Sequence, residues 1–169
     1  RGIPVEFNLS AAALTNSSVI RAFDDALIKN GADSNLIVVE VTETGLVEAR
    51  AAARRGLEQI RGLGCRIAID DFGTGYGGLT YVKDFPIDIL KIDIEFVRDA
   101  LVNKESEAVV RAVVALADGL GRETVAEGVE DAATLELMRE LGVTHAQGYH
   151  LGRPAPVKQL LENGDTGTS

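Results

Sequence analysis

Short apolar runs alternate with amphipathic stretches along the chain of 169 residues. The apolar runs are rich in Val and Ile, which is typical of strands buried on both faces of a parallel sheet. Between them, apolar side chains recur at helical spacing and stop at glycine, as from Val19 to Gly31. This pattern predicts six strand-then-helix units, with strands at 5–8, 36–39, 66–69, 87–90, 123–126 and 143–146. Such repetition indicates parallel strands joined by crossover helices.

A polar side chain stands at the carboxyl end of every predicted strand. In chain order these residues are Asn8, Glu40, Asp70 with Asp71, Lys91, Glu127 and Gln147. Strand ends of a (β/α) barrel converge on one face, where active sites lie. The sequence therefore predicts an α/β fold, a TIM-type barrel with about six of its eight strands, over residues 1–162 before a polar tail at 163–169. A doubly wound open sheet is the alternative, but it would not gather residues from every strand around one point.

The third predicted strand ends at two adjacent carboxylates, Asp70 and Asp71, and a loop rich in glycine follows to Gly78. Burying two neighbouring carboxylates is costly unless a positive charge lies between them. A divalent cation would supply that charge. In the alternative interpretation, Asp70 caps the loop and Asp71 is solvated.

The polar residues at the strand ends form an all-oxygen donor set with four carboxylates and one amide: Glu40, Asp70, Asp71, Glu127 and Asn8. Oxygen ligands suit Mg²⁺, Mn²⁺ or Ca²⁺ rather than Zn²⁺. Two adjacent aspartates can reach two ions, which is a standard arrangement for in-line cleavage of phosphate esters. Lys91 adds a point charge able to orient water or stabilise the transition state.

Each of these residues also has a structural interpretation when it is taken singly. Asn8 could be a capping residue, Glu40 or Glu127 a surface carboxylate, and Lys91 the partner of Asp93. Their shared location at the strand ends is what favours a functional site.

Composition excludes several classes of function. The net charge is −9 and no cluster of Lys and Arg is present, which argues against binding to a nucleic-acid polymer. A single cysteine, Cys65, excludes an internal disulfide and a cysteine-based zinc site. No apolar run approaches the roughly 20 residues of a membrane span, and no signal-peptide pattern opens the chain, so we expect a cytoplasmic location.

Five segments between about residues 5 and 156 resemble the EAL-domain family: Glu40-Val-Thr-Glu43, Asp70-Asp71-Phe-Gly-Thr-Gly-Tyr76, Leu90-Lys91-Ile-Asp93, Ala126-Glu127-Gly-Val-Glu130, and Gln147-Gly-Tyr149 followed by Arg153-Pro154. Domains of this family are phosphodiesterases that hydrolyse the bacterial second messenger cyclic di-GMP to linear pGpG. The resemblance therefore implies a metal-dependent, cyclic-guanylate-specific phosphodiesterase. It also implies a two-ion site for Mg²⁺ or Mn²⁺ that Ca²⁺ inhibits.

The resemblance also assigns roles to individual residues. It implies five metal ligands, namely Asn8, Glu40, Asp70, Asp71 and Glu127. Lys91 would hold the catalytic water, and Glu127 would serve the second ion or act as a base. Glu43 would pin the loop at 72–78, which links metal binding to formation of a homodimer. Three residues would contact the substrate: Gln147, Asp93 and Pro154.

The family's name motif, Glu-Ala-Leu, is absent from these residues, as are the first two strands that would carry it. Six strands of an eight-stranded barrel leave two open edges. We therefore expect either a longer chain, in which this domain is linked to sensory or GGDEF domains as the cytoplasmic part of a free or membrane-bound protein, or another copy or partner that covers the gap. The alternative function is that of a catalytically inactive cyclic di-GMP receptor or a protein-interaction module.

Overall fold

The computed structural model describes residues 3–48, 50–73 and 82–156, and these residues include one six-stranded sheet. Every strand runs parallel to its neighbours, and spatial order equals chain order. The strands are β1 (Val5–Asn8), β2 (Ile37–Thr42), β3 (Arg66–Phe72), β4 (Ile89–Ile92), β5 (Glu123–Ala126) and β6 (His145–Ala146). An order without a reversal point is that of a half-barrel, so the predicted barrel architecture is confirmed over the doubly wound sheet.

Helices connect the strands as crossovers. They are α1 (Ala11–Leu14), α2 (Ser17–Asn30), α3 (Glu43–Glu48), α4 (Arg50–Gly62), α5 (Ile94–Asp99), α6 (Lys104–Leu120) and α7 (Ala132–Glu140), with a 3₁₀ turn at Ser34–Leu36. Several helices begin after a polar capping residue, and α2 and α6 end at glycine. In α6, the Asn103 side chain accepts a hydrogen bond from the Glu105 backbone N–H, and Gly121 closes the helix at φ 64°. None of the described helices has both the length and the apolar character needed to span a membrane.

Strand alternation divides the apolar residues into two cores. One side of the strands packs against the helices and contributes to the larger core, which includes Val39, Ile67, Ile69, Leu90 and Ile92. The opposite side faces the barrel interior, where a small separate cluster forms from Val38, Ala68, Ile89 and Val125. Because successive side chains of a strand point to opposite faces, the residues two positions beyond this cluster also face the interior.

The structure differs from the sequence-based boundaries in ways that matter for the site. Strands β2, β3 and β4 extend further than predicted, so Glu40, Asp70, Asp71 and Lys91 lie within strands rather than after them. Helices α1, α3 and α5 come in addition to the one predicted helix per unit, because each has only four or six residues, too few to show helical periodicity. Most of the loop at 72–78 and the whole tail at 163–169 lie outside the described residues.

Candidate active site

A polar layer lies directly above the small interior cluster. Moving two residues along the strands from Val38, Ala68, Ile89 and Val125 leads to Glu40, Asp70, Lys91 and Glu127. The register pairs Glu40 with Ala68 and Lys91 with Val125, so these side chains are staggered from strand to strand. The strand period of two directs three carboxylates and one ammonium into the barrel interior, and their contacts with Lys91 show that they meet there.

Lys91 is the centre of this layer. Its Nζ lies 2.7 Å from Glu40 Oε1, 2.6 Å from Glu127 Oε1 and 3.4 Å from Asp70 Oδ1. Lys91 is only 4% exposed and Glu40 only 5% exposed. Glu40 Oε1 has no aligned hydrogen-bond donor among the described residues, so its contact with Lys91 is an ion pair governed by charge. The partners of Lys91 are thus these carboxylates rather than Asp93.

Burial and ion pairing act in opposite directions on this layer. Burial alone would lower the pKa of the Lys91 ammonium, but its contacts with Glu127 and Glu40 outweigh that effect and raise the pKa. Burial raises the pKa of Glu127 even though Lys91 opposes the shift. The lysine therefore stays charged. Its single positive charge is shared among three carboxylates, which is not enough to neutralise them.

Asp71 reaches the same place through an unusual backbone conformation. Adjacent strand residues normally face opposite sides of a sheet. Asp71 has φ 55°, in the left-handed region, and the register of β3 with β4 shifts between Ile69 and Phe72. This irregularity redirects the side chain. Carboxylate oxygens of Asp70, Asp71 and Glu127 consequently lie within 4.8 Å of one another.

The Asp70, Asp71 and Glu127 cluster fits a divalent cation. Its donors are all carboxylate oxygens, the type that Mg²⁺ and Mn²⁺ prefer. Burial, followed by the nearby Asp70 and Asp93 charges, raises the pKa of Asp71. Crowded carboxylates with raised pKa values are the situation that a bound cation relieves. In the alternative interpretation Asp70 caps the loop, and Asp70 Oδ1 does accept a hydrogen bond from the Asp71 backbone N–H at 3.1 Å.

Glu43 ties the start of α3 to the loop that follows β3. It is 3% exposed, and its Oε2 accepts a hydrogen bond from the Gly73 backbone N–H at 3.4 Å. Its other oxygen, Oε1, is buried without a partner among the described residues. Gly73 has φ 108°, and a side chain there would press against Phe96. The contact supports the prediction that Glu43 positions the loop, although residues 74–78 lie outside the described part.

A cleft of about 370 Å³ opens beside Glu127, and its other lining residues are Ile94, Gly128, Glu130, Gln147, Gly148 and Tyr149. Two backbone hydrogen bonds hold its wall together. The Val129 N–H donates to the Gln147 carbonyl at 3.0 Å, and the His150 N–H donates to the Val129 carbonyl at 3.1 Å. The cleft places the Gln147 region next to the polar layer, with room for a small organic ligand.

The remaining predicted residues lie around this centre. Asn8 ends β1, is exposed, and pairs in register with Glu40. Asp93 caps α5 and accepts a hydrogen bond from the Glu95 backbone N–H at 2.7 Å. Pro154 is exposed and follows Arg153, whose guanidinium lies 4.9 Å from the centre of the Tyr149 ring. The ligand role of Asn8 and the substrate contacts of Asp93 and Pro154 stay predictions.

Glu6 is a neighbour of the site that the sequence analysis missed. It lies on the same side of β1 as Asn8, and its pKa is raised by burial of its carboxyl group and by a hydrogen bond with Glu40. The residue as a whole is exposed, although its carboxyl group contacts Glu40. Its two-residue spacing from Asn8 was the signal that could have identified it.

Comparison with known proteins gives a consistent result. The sequence profile of the EAL domain matches residues 1–154. MucR of Pseudomonas aeruginosa, a bifunctional diguanylate cyclase/cyclic di-GMP phosphodiesterase, is 38% identical over 157 residues, which are 93% of this chain and 23% of MucR. The signaling protein YkoW of Bacillus subtilis is 39% identical over 158 residues, or 94% of this chain and 20% of YkoW. The chain spans about a fifth of the length of the curated relatives it matches.

Solved structures extend the comparison to three dimensions. The PaMucR phosphodiesterase in complex with c-di-GMP has a TM-score of 0.87 at 38% identity, covering 93% of this chain and 64% of that one. The EAL domain of Mycobacterium smegmatis DcpA has a TM-score of 0.92 at 32% identity, covering 99% and 75%. Klebsiella pneumoniae BlrP1, solved with manganese and cyclic di-GMP, has a TM-score of 0.84 at 33% identity, covering 90% and 39%.

Proposed function

Because the chain belongs to the EAL-domain family, we propose that it hydrolyses cyclic di-GMP to linear pGpG with the aid of divalent cations. The observation that carries this proposal is the cluster of Asp70, Asp71 and Glu127, two of which contact the Lys91 ammonium. Oxygen donors that hold cations, together with a fixed positive charge, suit the cleavage of a phosphodiester. The family membership supplies the substrate, which the cluster alone does not define.

The proposed cofactors are Mg²⁺ or Mn²⁺ in a two-ion site. When bound, these cations neutralise charge on the phosphate and make water a better nucleophile. Asp70, Asp71 and Glu127 would hold them, and Asn8 and Glu40 are the further ligands that the family resemblance suggests. The manganese and cyclic di-GMP complex of BlrP1 supports this choice of cation.

Lys91 and Glu127 would act on the reacting groups. Lys91 remains protonated because its pKa is raised, so its ammonium can orient water and stabilise the negative charge that develops on the phosphate. Glu127 lies 2.6 Å from the ammonium, and burial raises its pKa, a direction that makes its carboxylate a better proton acceptor.

The cleft beside Glu127 would receive the nucleotide. Its Gln147 side offers an amide, and Tyr149 offers an aromatic face. Asp93 and Pro154 are proposed as further substrate contacts on the same rim. Glu43, through its hydrogen bond with the Gly73 backbone, would hold the loop at 72–78 that we propose as a homodimer contact.

The setting of the domain is also part of the proposal. MucR combines a diguanylate cyclase with a phosphodiesterase, which supports linkage of this chain to GGDEF or sensory domains. A cytoplasmic location, as a separate protein or as the cytoplasmic part of a membrane-bound sensor, would match the site of second-messenger chemistry.

The test is turnover of cyclic di-GMP with Mg²⁺ or Mn²⁺, followed by chromatographic detection of pGpG. Asp71→Asn should lower the rate at least about 100-fold, since it removes a direct ligand charge with little change in shape. Asp118→Asn is the matched control, because Asp118 is exposed on α6 and should leave the rate unchanged. Unchanged hydrolysis by Asp71→Asn would remove Asp71 from the mechanism.

An inactive cyclic di-GMP receptor is the second candidate, since a cleft and a polar layer of this kind could hold the nucleotide without cleaving it. The same assay separates the two functions when it is paired with a binding measurement. Nucleotide binding without pGpG formation, in the presence of either cation, would indicate a receptor.

A further inference from the structure

Lys91 contacts two of the three carboxylates in the candidate cation site, Asp70 and Glu127. We propose that Lys91 is a built-in counterion that keeps this site assembled without metal and, for the same reason, weakens its affinity for metal. The inference rests on the cation site of the proposed function. It adds a role that does not require the nucleotide.

The first step of the argument is charge crowding. The carboxylates that surround Nζ come from three separate chain segments, β2, β3 and the residue after β5, and two of them lie within 2.7 Å of it. Without a positive charge, buried and half-buried carboxylates so close together would repel one another or take up protons. The Lys91 ammonium supplies a positive charge within ion-pair distance of all three. Lys91 therefore stabilises the metal-free arrangement.

The second step is the position of Lys91 in the sheet. Strand β4 lies between β3 and β5, so a side chain at its interior face reaches carboxylates on both sides. Leu90 and Ile92, the adjacent residues, are fully buried, and Lys91 itself is 4% exposed. The ammonium is thus confined to the polar layer and cannot move out into solvent as a surface lysine does.

The third step concerns an entering cation. A divalent ion held by Asp70 and Glu127 would lie a few ångströms from the ammonium, since Nζ already contacts one oxygen of each carboxylate at 3.4 and 2.6 Å. Two positive charges a few ångströms apart repel each other even when water screens them. Lys91 should consequently lower the affinity of the site for Mg²⁺ or Mn²⁺. The same charge keeps the carboxylates together before metal binds.

The experiment measures Mn²⁺ affinity by calorimetry and the thermal unfolding midpoint with EDTA or with Mn²⁺. Lys91→Met keeps the length of the side chain but removes the charge. It should bind Mn²⁺ at least about tenfold more tightly and should unfold at a lower temperature in EDTA, so that Mn²⁺ produces a larger stabilisation than in the wild type. Lys91→Arg keeps the charge and should stay close to the wild-type affinity. Lys104→Met, at an exposed position in α6, is the control and should change neither measurement.

A second variant covers the case in which Lys91→Met does not fold in EDTA. Adding Glu40→Gln removes one of the repelling carboxylates, so the double variant should recover stability in EDTA relative to Lys91→Met. Failure to recover, or a Mn²⁺ affinity of Lys91→Met equal to that of the wild type, would overturn the proposal. Because neither measurement uses the nucleotide, these results are independent of whether the chain hydrolyses cyclic di-GMP.

Discussion

Gly148 provides a sharp test of how the cleft is built, because a single added methyl group would separate its two walls. A Cβ at Gly148 would meet the backbone O, N and C atoms of Val129, the carbonyl carbon at only 2.6 Å. Ordinary carbon–carbon contacts lie at about 3.5 Å or more. These are backbone atoms, so no side-chain rotation can relieve the clash. Gly148→Ala must therefore push apart the segments that follow β5 and β6.

The cost can be estimated from what the displacement breaks. Overpacking costs about 1–3 kcal/mol, and each lost hydrogen bond costs about 1 kcal/mol. Val129 makes two backbone hydrogen bonds with this segment, one through its N–H to Gln147 and one through its carbonyl to His150. We expect Gly148→Ala to lower the free energy of unfolding by about 2–5 kcal/mol. A shift of about 1 Å near Glu127 and Gln147 should also reduce turnover by up to about 100-fold.

Two other glycines make this test specific. Gly56→Ala in α4 also clashes with backbone, at Leu14 of α1, with its Cβ 3.0 Å from the Leu14 carbonyl carbon. It should destabilise the fold while the folded fraction keeps its turnover, since it lies among the outer helices. Gly152→Ala has no neighbour within 4 Å and should change neither property. Denaturant unfolding and cyclic di-GMP turnover are the assays, and a stable, fully active Gly148→Ala protein would refute the packing argument.

Three further predictions concern the cation, an ion pair and a helix cap. Replacing Mg²⁺ with Ca²⁺ should suppress hydrolysis but permit nucleotide binding, because Ca²⁺ prefers longer and looser coordination, and full turnover in Ca²⁺ would contradict the two-ion proposal. The pKa of Glu123 is lowered, first by its hydrogen bond with Arg66, so its stabilisation is present above about pH 4.3 and is lost as the pH falls through the lowered value. Unfolding midpoints from pH 6 to 3 should therefore fall less for Glu123→Gln than for the wild type, and parallel curves would exclude this role. Asn103→Ala should destabilise the protein by about 1 kcal/mol in denaturant unfolding, through loss of the α6 cap, and an unchanged midpoint would argue against that cap.

The sequence predicted the barrel and the end of the barrel that carries the site, because both follow from the regular alternation of strands and helices. Apolar strands repeat with helices between them, and polar side chains stand at each strand end. In the structure Glu40, Asp70 and Lys91 lie near the carboxyl ends of their strands, and Glu127 follows β5 directly. All four lie two residues beyond the interior cluster of Val38, Ala68, Ile89 and Val125. Local pattern was sufficient here because strand alternation leaves few choices of side-chain direction.

Asp71 and Glu6 show where such a pattern stops being informative. By alternation, Asp71 should face the helices, and only its left-handed backbone and the shifted register of β3 bring it to Asp70 and Glu127. That conformation depends on contacts with β4, which a linear pattern does not contain. Glu6 resembles a solvent-facing residue of an edge strand, yet its carboxyl group reaches Glu40. Tertiary contacts decide both positions.

Charge balance connects the observed layer with the proposed chemistry. The carboxyl groups of Glu40, Asp70, Asp71 and Glu127 share one ammonium in a partly buried space. Glu6 and Asp93 add further carboxyl groups next to Glu40 and Asp71. The raised pKa values of Asp71 and Glu127 reflect the difficulty of holding so much negative charge. A substrate phosphodiester would bring one more negative charge to the same place. Divalent cations would offset both the carboxylates and the phosphate, which is why the electrostatics of the layer favour the proposed cation-dependent hydrolysis.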